Sequence, residues 1–527
     1  MAIAEEKHPF PRGQSALGPL VALYVLALGI RLLRLFDLDY TFDEAVLLLL
    51  RHQSYAEIWE FCKTDNFPPL FPWIVKAWMS LSSSHQWYRL LAALLGALTA
   101  PMAYVVGKEL WDRRLGWMLG LACAISMPLV FFSQFVRMFN LQPVLMLVSV
   151  YGLLKGLKTD RWGYWLLMSV ANLLGFYIYL LWPLLVVAEA IAVFWYREFK
   201  WRRMIRPALA HVPFLLGMAA WLIPALTRYS SVREEFWITE MYWYDWFMTL
   251  VRMGSGTDFR DTYWLTLLVN AVFLVGLALA VILSRGRREL RALAIIWGLV
   301  YLGIMGFSIL GNSLLNWRYV LFIQPLFLAL VIAGWLAAKS RLRRFGLIGL
   351  AFMMLFSLGY YFFDYYEMHD YYGYMRSYPH AEPGEGHFFS TVTDSVEARL
   401  QPGDVIIHYS QTYHRVCTYY TSLVYHNRSL PEYMYFKGEI PGYWGRQYLR
   451  PGEQIRSLAD LQPPPEGIWM MTLDSLEVMF SDKPRRWVFW ENLPLELRQA
   501  GYAAVDTLQK GKVAAVYFQR QPEGQRP

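Results

Sequence analysis

Charge is scarce in this 527-residue chain: Asp, Glu, Lys and Arg together make up 17% of it, against 56% hydrophobic residues. That balance leaves too little polar surface for one soluble globule, so the composition excludes a soluble protein and implies a polytopic membrane protein. Cysteine is rarer still. Cys62, Cys123 and Cys417 are too few for a disulfide framework and match no zinc spacing; Cys123 lies within an apolar helix and reads as packing. A Gly-rich phosphate fingerprint is also missing, because Gly384-Glu385-Gly386 is only a loop. No small-residue cleavage site follows the first apolar run, so residues 17–36 read as a retained first helix, a signal anchor at most. Acidic residues are outnumbered, 41 to 49, giving a net charge of +8. In a membrane protein such an excess mostly records Lys and Arg held in cytoplasmic loops, so nucleic acid is not an expected partner.

Aromatic residues are plentiful, with 23 Trp and 35 Tyr. Their amphipathic rings suit the headgroup level of a bilayer. A hydrocarbon core of roughly 30 Å needs about twenty apolar residues per helix, and on that measure about eleven spans can be drawn. They cover approximately 17–36, 88–108, 115–132, 138–157, 162–180, 182–197, 207–227, 263–284, 292–311, 319–338 and 344–363. Counting inward and outward from a cytoplasmic N-terminus places residues 108–114, 155–161, 197–206, 285–291 and 339–344 all inside, and each of these short loops is rich in Lys or Arg. One miscounted helix would throw the later basic loops outside, so the agreement supports a multi-pass protein of the plasma membrane in this orientation.

The expected organisation is a cytoplasmic N-terminus (1–16), a transmembrane domain (17–365) with a first outer loop (37–81), and an extracytoplasmic C-terminal domain (366–527). Within the first loop, the apolar run from Ala45 to Leu50 reads as a helix lying along the membrane surface. Pro68-Pro69 then ends regular structure. Residues 72–81 are too short to span and read as a second surface or re-entrant helix. Two aromatic stretches, 236–247 and 360–378, read as interfacial belts. Beyond about residue 382 hydropathy drops. Residues 403–409 and 467–471 read as buried strands after Pro/Gly turns, and 512–518 as a third, which with intervening helices suggests a small α/β domain of about 140 residues. Asn427-Arg428-Ser429 matches a glycosylation pattern common by chance. His369, His380 and His387 lack metal-ligand periodicity and read as surface histidines.

The pair Asp43-Glu44, just past the first span, is the most informative local feature. An acidic pair at the mouth of a transmembrane helix is costly unless solvated, paired or used. Three further outer clusters accompany it: Asp65-Asn66-Phe67-Pro68-Pro69-Leu70, Ser133-Gln134-Phe135-Val136-Arg137-Met138-Phe139, and Asn316-Trp317-Arg318-Tyr319 with Pro325 beyond. A carboxylate such as Asp43 can take the proton from an attacking hydroxyl or amine. Arginines such as Arg137 and Arg318 can grip phosphate oxygens and stabilise charge as phosphate leaves. Arg31 and Arg34 read as side chains snorkelling to the interface.

An acidic pair in an Asp-Glu-Ala context, a downstream Pro-Pro-Leu, Arg89-Leu90, the run from Ser133-Gln134 to Phe139, and Arg318-Tyr319 with Pro325 together resemble integral-membrane glycosyltransferases of the GT-C superfamily. The resemblance is to the bacterial dolichyl-phosphate-mannose-protein mannosyltransferase-like group, related to the aminoarabinose transferases. It runs over residues 17–365 and is strongest from Thr41 to Leu157. It implies a GT-C type helical membrane domain, a polyprenyl-phosphate-linked sugar as donor and a glycan, lipid or protein acceptor. It further implies an outer-face site with Asp43 and Glu44 as the catalytic acid pair, Asp43 being the expected base, Arg137, Arg318 and Tyr319 near the donor phosphate, and Asp65, Asn66, Pro68, Pro69 and Gln134 in the substrate loops. The chain departs from the pattern at Phe67, where members often have His, and at Phe135, often acidic. No cofactor is required on this reading, and a divalent cation held by Asp43, Glu44 or Asp65 stays open. The alternative is a flippase or transporter of lipid-linked sugar, which would place ionisable groups near the midplane of several helices and repeat its halves.

Overall fold

The computed structural model describes residues 17–37, 39–63, 67–198, 200–226, 245–256, 263–283, 287–310, 317–362, 388–410, 414–440, 445–473, 492–510 and 513–522. Up to residue 362 the described chain is a bundle of helices. Each of the eleven apolar segments is helical, but not each is one long rod. Six helices are long and apolar enough to cross a membrane: His85–Leu110, Met138–Thr159, Trp264–Leu283, Arg288–Leu310, Arg318–Ala337 and Ser340–Phe362. A pair bent by 54°, Trp201–Ala210 with Val212–Ile223, makes a seventh if it is one span, while Leu17–Leu32 and Trp182–Tyr196 are shorter apolar helices. The expected span at 115–132 is split into Arg113–Ile125 and Met127–Phe132, because Pro128 in the second helix has no N–H to continue the ladder of the first.

Packing inside the bundle is close. A Cβ on Gly334 would lie 2.0 Å from the carbonyl oxygen of Gly276, so these two glycines let the Gln324–Ala337 and Tyr263–Leu283 helices meet backbone to backbone. Four of the five short basic loops gather at one end. Glu109 pairs with Lys155 (3.5 Å) and Lys158 (3.1 Å), Asp160 with Arg197 (2.8 Å) and Arg206 (2.9 Å), and Glu198 with Arg288 (3.1 Å).

Two buried ionisable groups differ from the sequence expectation. Arg31 does not snorkel: it is fully buried, and its guanidinium donates to Ser133 Oγ (3.1 Å) and to the carbonyls of Ala27, Ala124 and Cys123 (3.0–3.3 Å). Gly96 makes room for this, since a Cβ there would strike Ser133 Oγ at 2.0 Å. Glu189 lies buried inside the bundle, accepting from Ser149 Oγ (2.7 Å) and Asn172 Nδ2 (2.7 Å). Charge is thus not confined to the helix ends.

The C-terminal unit is a six-stranded sheet: β1 (Val405–His408), β2 (Glu432–Tyr435), β3 (Gln454–Ile455), β4 (Gly467–Thr472), β5 (Tyr502–Lys510) and β6 (Val513–Arg520), in spatial order β3-β2-β1-β4-β6-β5. The first four are parallel and β6 runs antiparallel to both neighbours. β1, β4 and β6 are the expected strands; β2, β3 and β5 are additional. The central strand β4 is buried along its whole length, which is why its sequence is an unbroken apolar run rather than an alternating one. The expected boundary at 365/366 lies outside the described residues, as do the two aromatic belts in all but their first or last few positions and His369, His380 and His387.

The apolar run Ala45–Leu50 is not a surface helix. It forms most of the Phe42–Leu49 helix and the turn after it, and every residue from Glu44 to Leu50 is buried. A helix apolar all round needs cover on every side. The cover comes from the His414–Tyr425 helix, whose Val416, Tyr419, Tyr420, Leu423 and Val424 join the same hydrophobic core. The two units are stapled beside it: Asp39, itself buried, accepts from the backbone N–H of Phe389 (2.7 Å) and Ser390 (3.3 Å) and from Tyr425 Oη (2.9 Å).

Candidate active site

Thr41 sets the geometry of the acidic pair. Its extended backbone (φ −76°, ψ 161°) caps the Phe42–Leu49 helix, its hydroxyl accepting from the Glu44 N–H while the Glu44 carboxylate accepts from the Thr41 N–H (3.0 Å). This reciprocal capping box fixes Asp43 in the first helical turn, where the helix dipole favours a carboxylate. The two acids then face different surroundings. Glu44 is fully buried and, besides Thr41, accepts from the Val136 N–H (2.9 Å) and from Arg89 Nη2 (3.2 Å), a guanidinium only 3% exposed. Its oxygens are spent on holding three segments together. Asp43 keeps some access, at 13% for its side chain, and pairs with Arg318 Nη1 at 3.3 Å.

Arg137 and Arg318 converge on Asp43. Arg137 Nη1 donates to the Asp43 carbonyl (2.9 Å), and its guanidinium stands 5.6 Å from the Phe67 ring centre. Arg318 stands 4.9 Å from the Tyr319 ring centre and donates to Tyr319 Oη (3.0 Å), while the Tyr319 carbonyl accepts from Tyr179 Oη (2.8 Å). Three chain segments remote in sequence therefore meet at Asp43, Arg318 at its carboxylate and Arg137 at its backbone carbonyl. Pro68 and Pro69 are buried behind Phe67; Pro69 starts the Leu70–Met79 helix, and the Leu70 N–H donates to the Tyr177 carbonyl (3.1 Å). Phe67, a departure from the usual His, supplies a π face to Arg137 in place of a ring nitrogen.

Not every sequence candidate joins the cluster. Gln134 is fully buried elsewhere: its amide donates to the carbonyls of Arg31 (3.0 Å) and Leu33 (2.8 Å), and its oxygen accepts from Tyr361, so it anchors the end of the first helix. Asp65 and Asn66 lie outside the described residues. Among the described residues no three His, Cys, Asp or Glu side chains are arranged to hold a metal ion. Tyr179 and Asp39 are positioning residues that site reasoning from sequence did not name, and Arg89, named there only as part of a motif, is a third. Arg89, a lone cation within an apolar helix, carried a readable signal; Tyr179 carried none.

The resulting site sets the Asp43 carboxylate against the Arg318 guanidinium, with the Arg137 guanidinium on the backbone carbonyl of the same residue. Such a site can accept a proton and bind a phosphate side by side.

Residues 66–227 match the family model of dolichyl-phosphate-mannose-protein mannosyltransferase. The whole described architecture, sheet included, is similar to the crystal structure of ArnT from Cupriavidus metallidurans bound to undecaprenyl phosphate, with a TM-score of 0.61 over 95% of this chain and 98% of that one. The chain thus has an ArnT-like fold, with a mannosyltransferase-family match over residues 66–227. The apo form of the same ArnT gives a TM-score of 0.61 over 96% and 98%. At 13% identity to both, it is the fold that is shared. No curated protein matches the sequence. The family match begins just before Phe67 and takes in Arg137 and Tyr179, whereas the fold match extends to the C-terminal sheet.

Proposed function

We propose that this chain transfers a sugar from a polyprenyl-phosphate donor to an acceptor glycan, lipid or protein at the outer face of the plasma membrane, by inverting displacement. The observation that carries the reading is the convergence of Arg137 and Arg318 on Asp43, on a fold shared with a protein solved with undecaprenyl phosphate. A hydroxyl or amine of the acceptor attacks the anomeric carbon, the bond from that carbon to the phosphate oxygen breaks, and the polyprenyl phosphate leaves with the bonding electrons. Asp43 takes the acceptor proton. Arg318 and Arg137 hold the phosphate as its charge grows.

Arg318 pairs with Asp43 at 3.3 Å. Donor phosphate is a second anion for the same guanidinium, so its arrival loosens the ion pair and leaves the carboxylate ready to accept a proton. Glu44 takes no part in the transfer: its role is to hold Asp43's helix against Arg89 and Val136. The proposed topology has about eleven spans, with the shorter and broken helices crossing as part of the bundle, the N-terminus cytoplasmic and the sheet unit extracytoplasmic. Membranes with and without the chain, supplied with a polyprenyl-phosphate sugar labelled in the sugar, test this. Chain-dependent label in envelope material is expected; equal labelling in both contradicts it.

A further inference from the structure

The loop helices beside the site enclose a second feature, which transfer chemistry alone does not use. A cleft of about 710 Å³ opens along the Tyr55–Cys62 helix, lined by Gln53, Tyr55, Glu57, Trp59, Glu60 and Trp73. That volume is within the range of small-molecule sites, about 300–1,000 Å³. Its aromatic wall is built rather than accidental. Trp59 and Trp73 stack at 5.8 Å and 21°, Trp59 stacks on Tyr177 at 6.1 Å and 24°, and Tyr55 meets Trp73 edge-on at 6.4 Å. The Trp73 indole is pinned by donating Nε1–H to the Tyr55 carbonyl (3.0 Å). Tyr55 nevertheless remains 48% exposed.

Gln53, Glu57 and Glu60 bring acceptors to the cleft, and the Lys63 and Lys76 ammonium groups stand 5.9 and 5.5 Å from the Trp59 and Tyr55 ring centres. Gln53 Oε1 is buried and accepts no hydrogen bond, which costs free energy unless a ligand donates to it. Glu57 uses one carboxylate oxygen on the Ser54 N–H (2.6 Å), and Glu60 pairs with Lys63 (2.5 Å). Acceptors around aromatic faces suit a ligand with donating hydroxyls and an apolar C–H face, which describes a sugar ring.

The cleft is tied to Asp43. Gln53 follows the turn at the end of the helix that Asp43 begins, about 15 Å away by helical rise. Trp59 stacks on Tyr177, and two residues on Tyr179 holds Tyr319, whose hydroxyl holds Arg318. We propose that this cleft is an acceptor subsite that binds a non-reacting sugar ring of a carbohydrate-bearing acceptor. The proposal rests on the reading of Asp43 as the base for that acceptor.

Saturation-transfer NMR on the full chain in lipid nanodiscs tests it, with the methyl glycosides of glucose, mannose, galactose and N-acetylglucosamine as probes. At least one glycoside should receive saturation, strongest on one ring face. Trp73→Ala should weaken its binding ten-fold or more, with Trp73→Phe restoring most of it and Glu57→Gln weakening it less. Asp43→Asn should leave glycoside binding unchanged while transfer stops, so failure of the subsite and failure of the transferase reading give different results. Absence of saturation for all four probes overturns the subsite. So does binding that survives Trp73→Ala, or a cleft taken by lipid, seen as tryptophan quenching by brominated phospholipid that no glycoside relieves.

Discussion

Glu44 and Arg89 form a buried pair that the account treats as architecture, and a double-mutant cycle separates architecture from catalysis. Arg89 is 3% exposed and Glu44 fully buried, 3.2 Å apart. Glu44→Gln leaves the Arg89 guanidinium without its counter-charge, and Arg89→Met does the converse to Glu44. Each single change should cost about 3–5 kcal/mol, the usual penalty for an uncompensated buried charge. Glu44→Gln keeps an oxygen for the Val136 N–H, so the loss of that bond adds little. The double variant buries neither charge and should be destabilised by less than the sum, with a coupling of about 2–3 kcal/mol. The readout is loss of folded protein in mild detergent with temperature, followed by tryptophan fluorescence, as half-lives if unfolding is irreversible. Transfer per folded molecule should be largely kept in the double variant. Additive single effects, or a double variant that folds well but transfers nothing, would refute the assignment of Glu44 to structure.

Four other outcomes are expected. Replacing Arg318 or Arg137 with Lys keeps charge but loses the planar fork, and should raise the donor KM about ten- to a hundred-fold, the range for losing a charge-assisted hydrogen bond; donor titrations check this. Gly334→Ala places a Cβ 2.0 Å from a backbone carbonyl and should destabilise the bundle by about 1–3 kcal/mol with transfer per folded molecule unchanged, measured by thermal inactivation. In the C-terminal unit, burial raises the Glu432 carboxyl but hydrogen bonds from His408 and His426 overcome it and hold it down at about 2. A depressed carboxyl stabilises the fold above its unfolded value of 4.5 and loses that contribution as pH falls toward 2; near-UV circular dichroism should therefore show tertiary structure melting over that window, and Glu432→Gln should remove this part of the acid dependence. Asp39→Ala removes the acceptor for two backbone amides and Tyr425 Oη, and should speed proteolysis between the helical bundle and the sheet unit, followed by limited digestion.

Much of this architecture could be read from the chain because its signals were long and redundant. Eleven apolar runs, with basic loops that had to agree in parity, define a helical bundle, and the ion pairs of Glu109, Asp160 and Glu198 show four of those loops meeting. Strands β1, β4 and β6 were legible because they are buried and apolar. Strands β2 and β3 were not: Glu432 lies inside β2, and its partners His408, His426 and Ser422 make it compatible with a core. The approach of Asp43, Arg137 and Arg318 was legible as polar residues at one end of several spans. The division of labour between Asp43 and Glu44 was present but masked. Thr41-x-x-Glu44 before an apolar run is the signature of a capping box, and it outweighs the more dramatic reading of paired catalytic acids. Arg31 and Ala45–Leu50 failed for one reason. Both were judged against lipid and water, and their actual surroundings are protein from segments around a hundred or several hundred residues away, which no local pattern announces.

Transfer by Asp43→Asn tests the central claim most directly. Asparagine keeps the size and the helix position, gives up the charge that pairs with Arg318, and cannot act as a base. With purified chain in lipid, a labelled polyprenyl-phosphate sugar and acceptor in excess, the account predicts transfer lowered by about 10²–10⁴-fold, with thermal unfolding close to that of the unaltered chain. Transfer at the unaltered rate by a folded Asp43→Asn variant would contradict it.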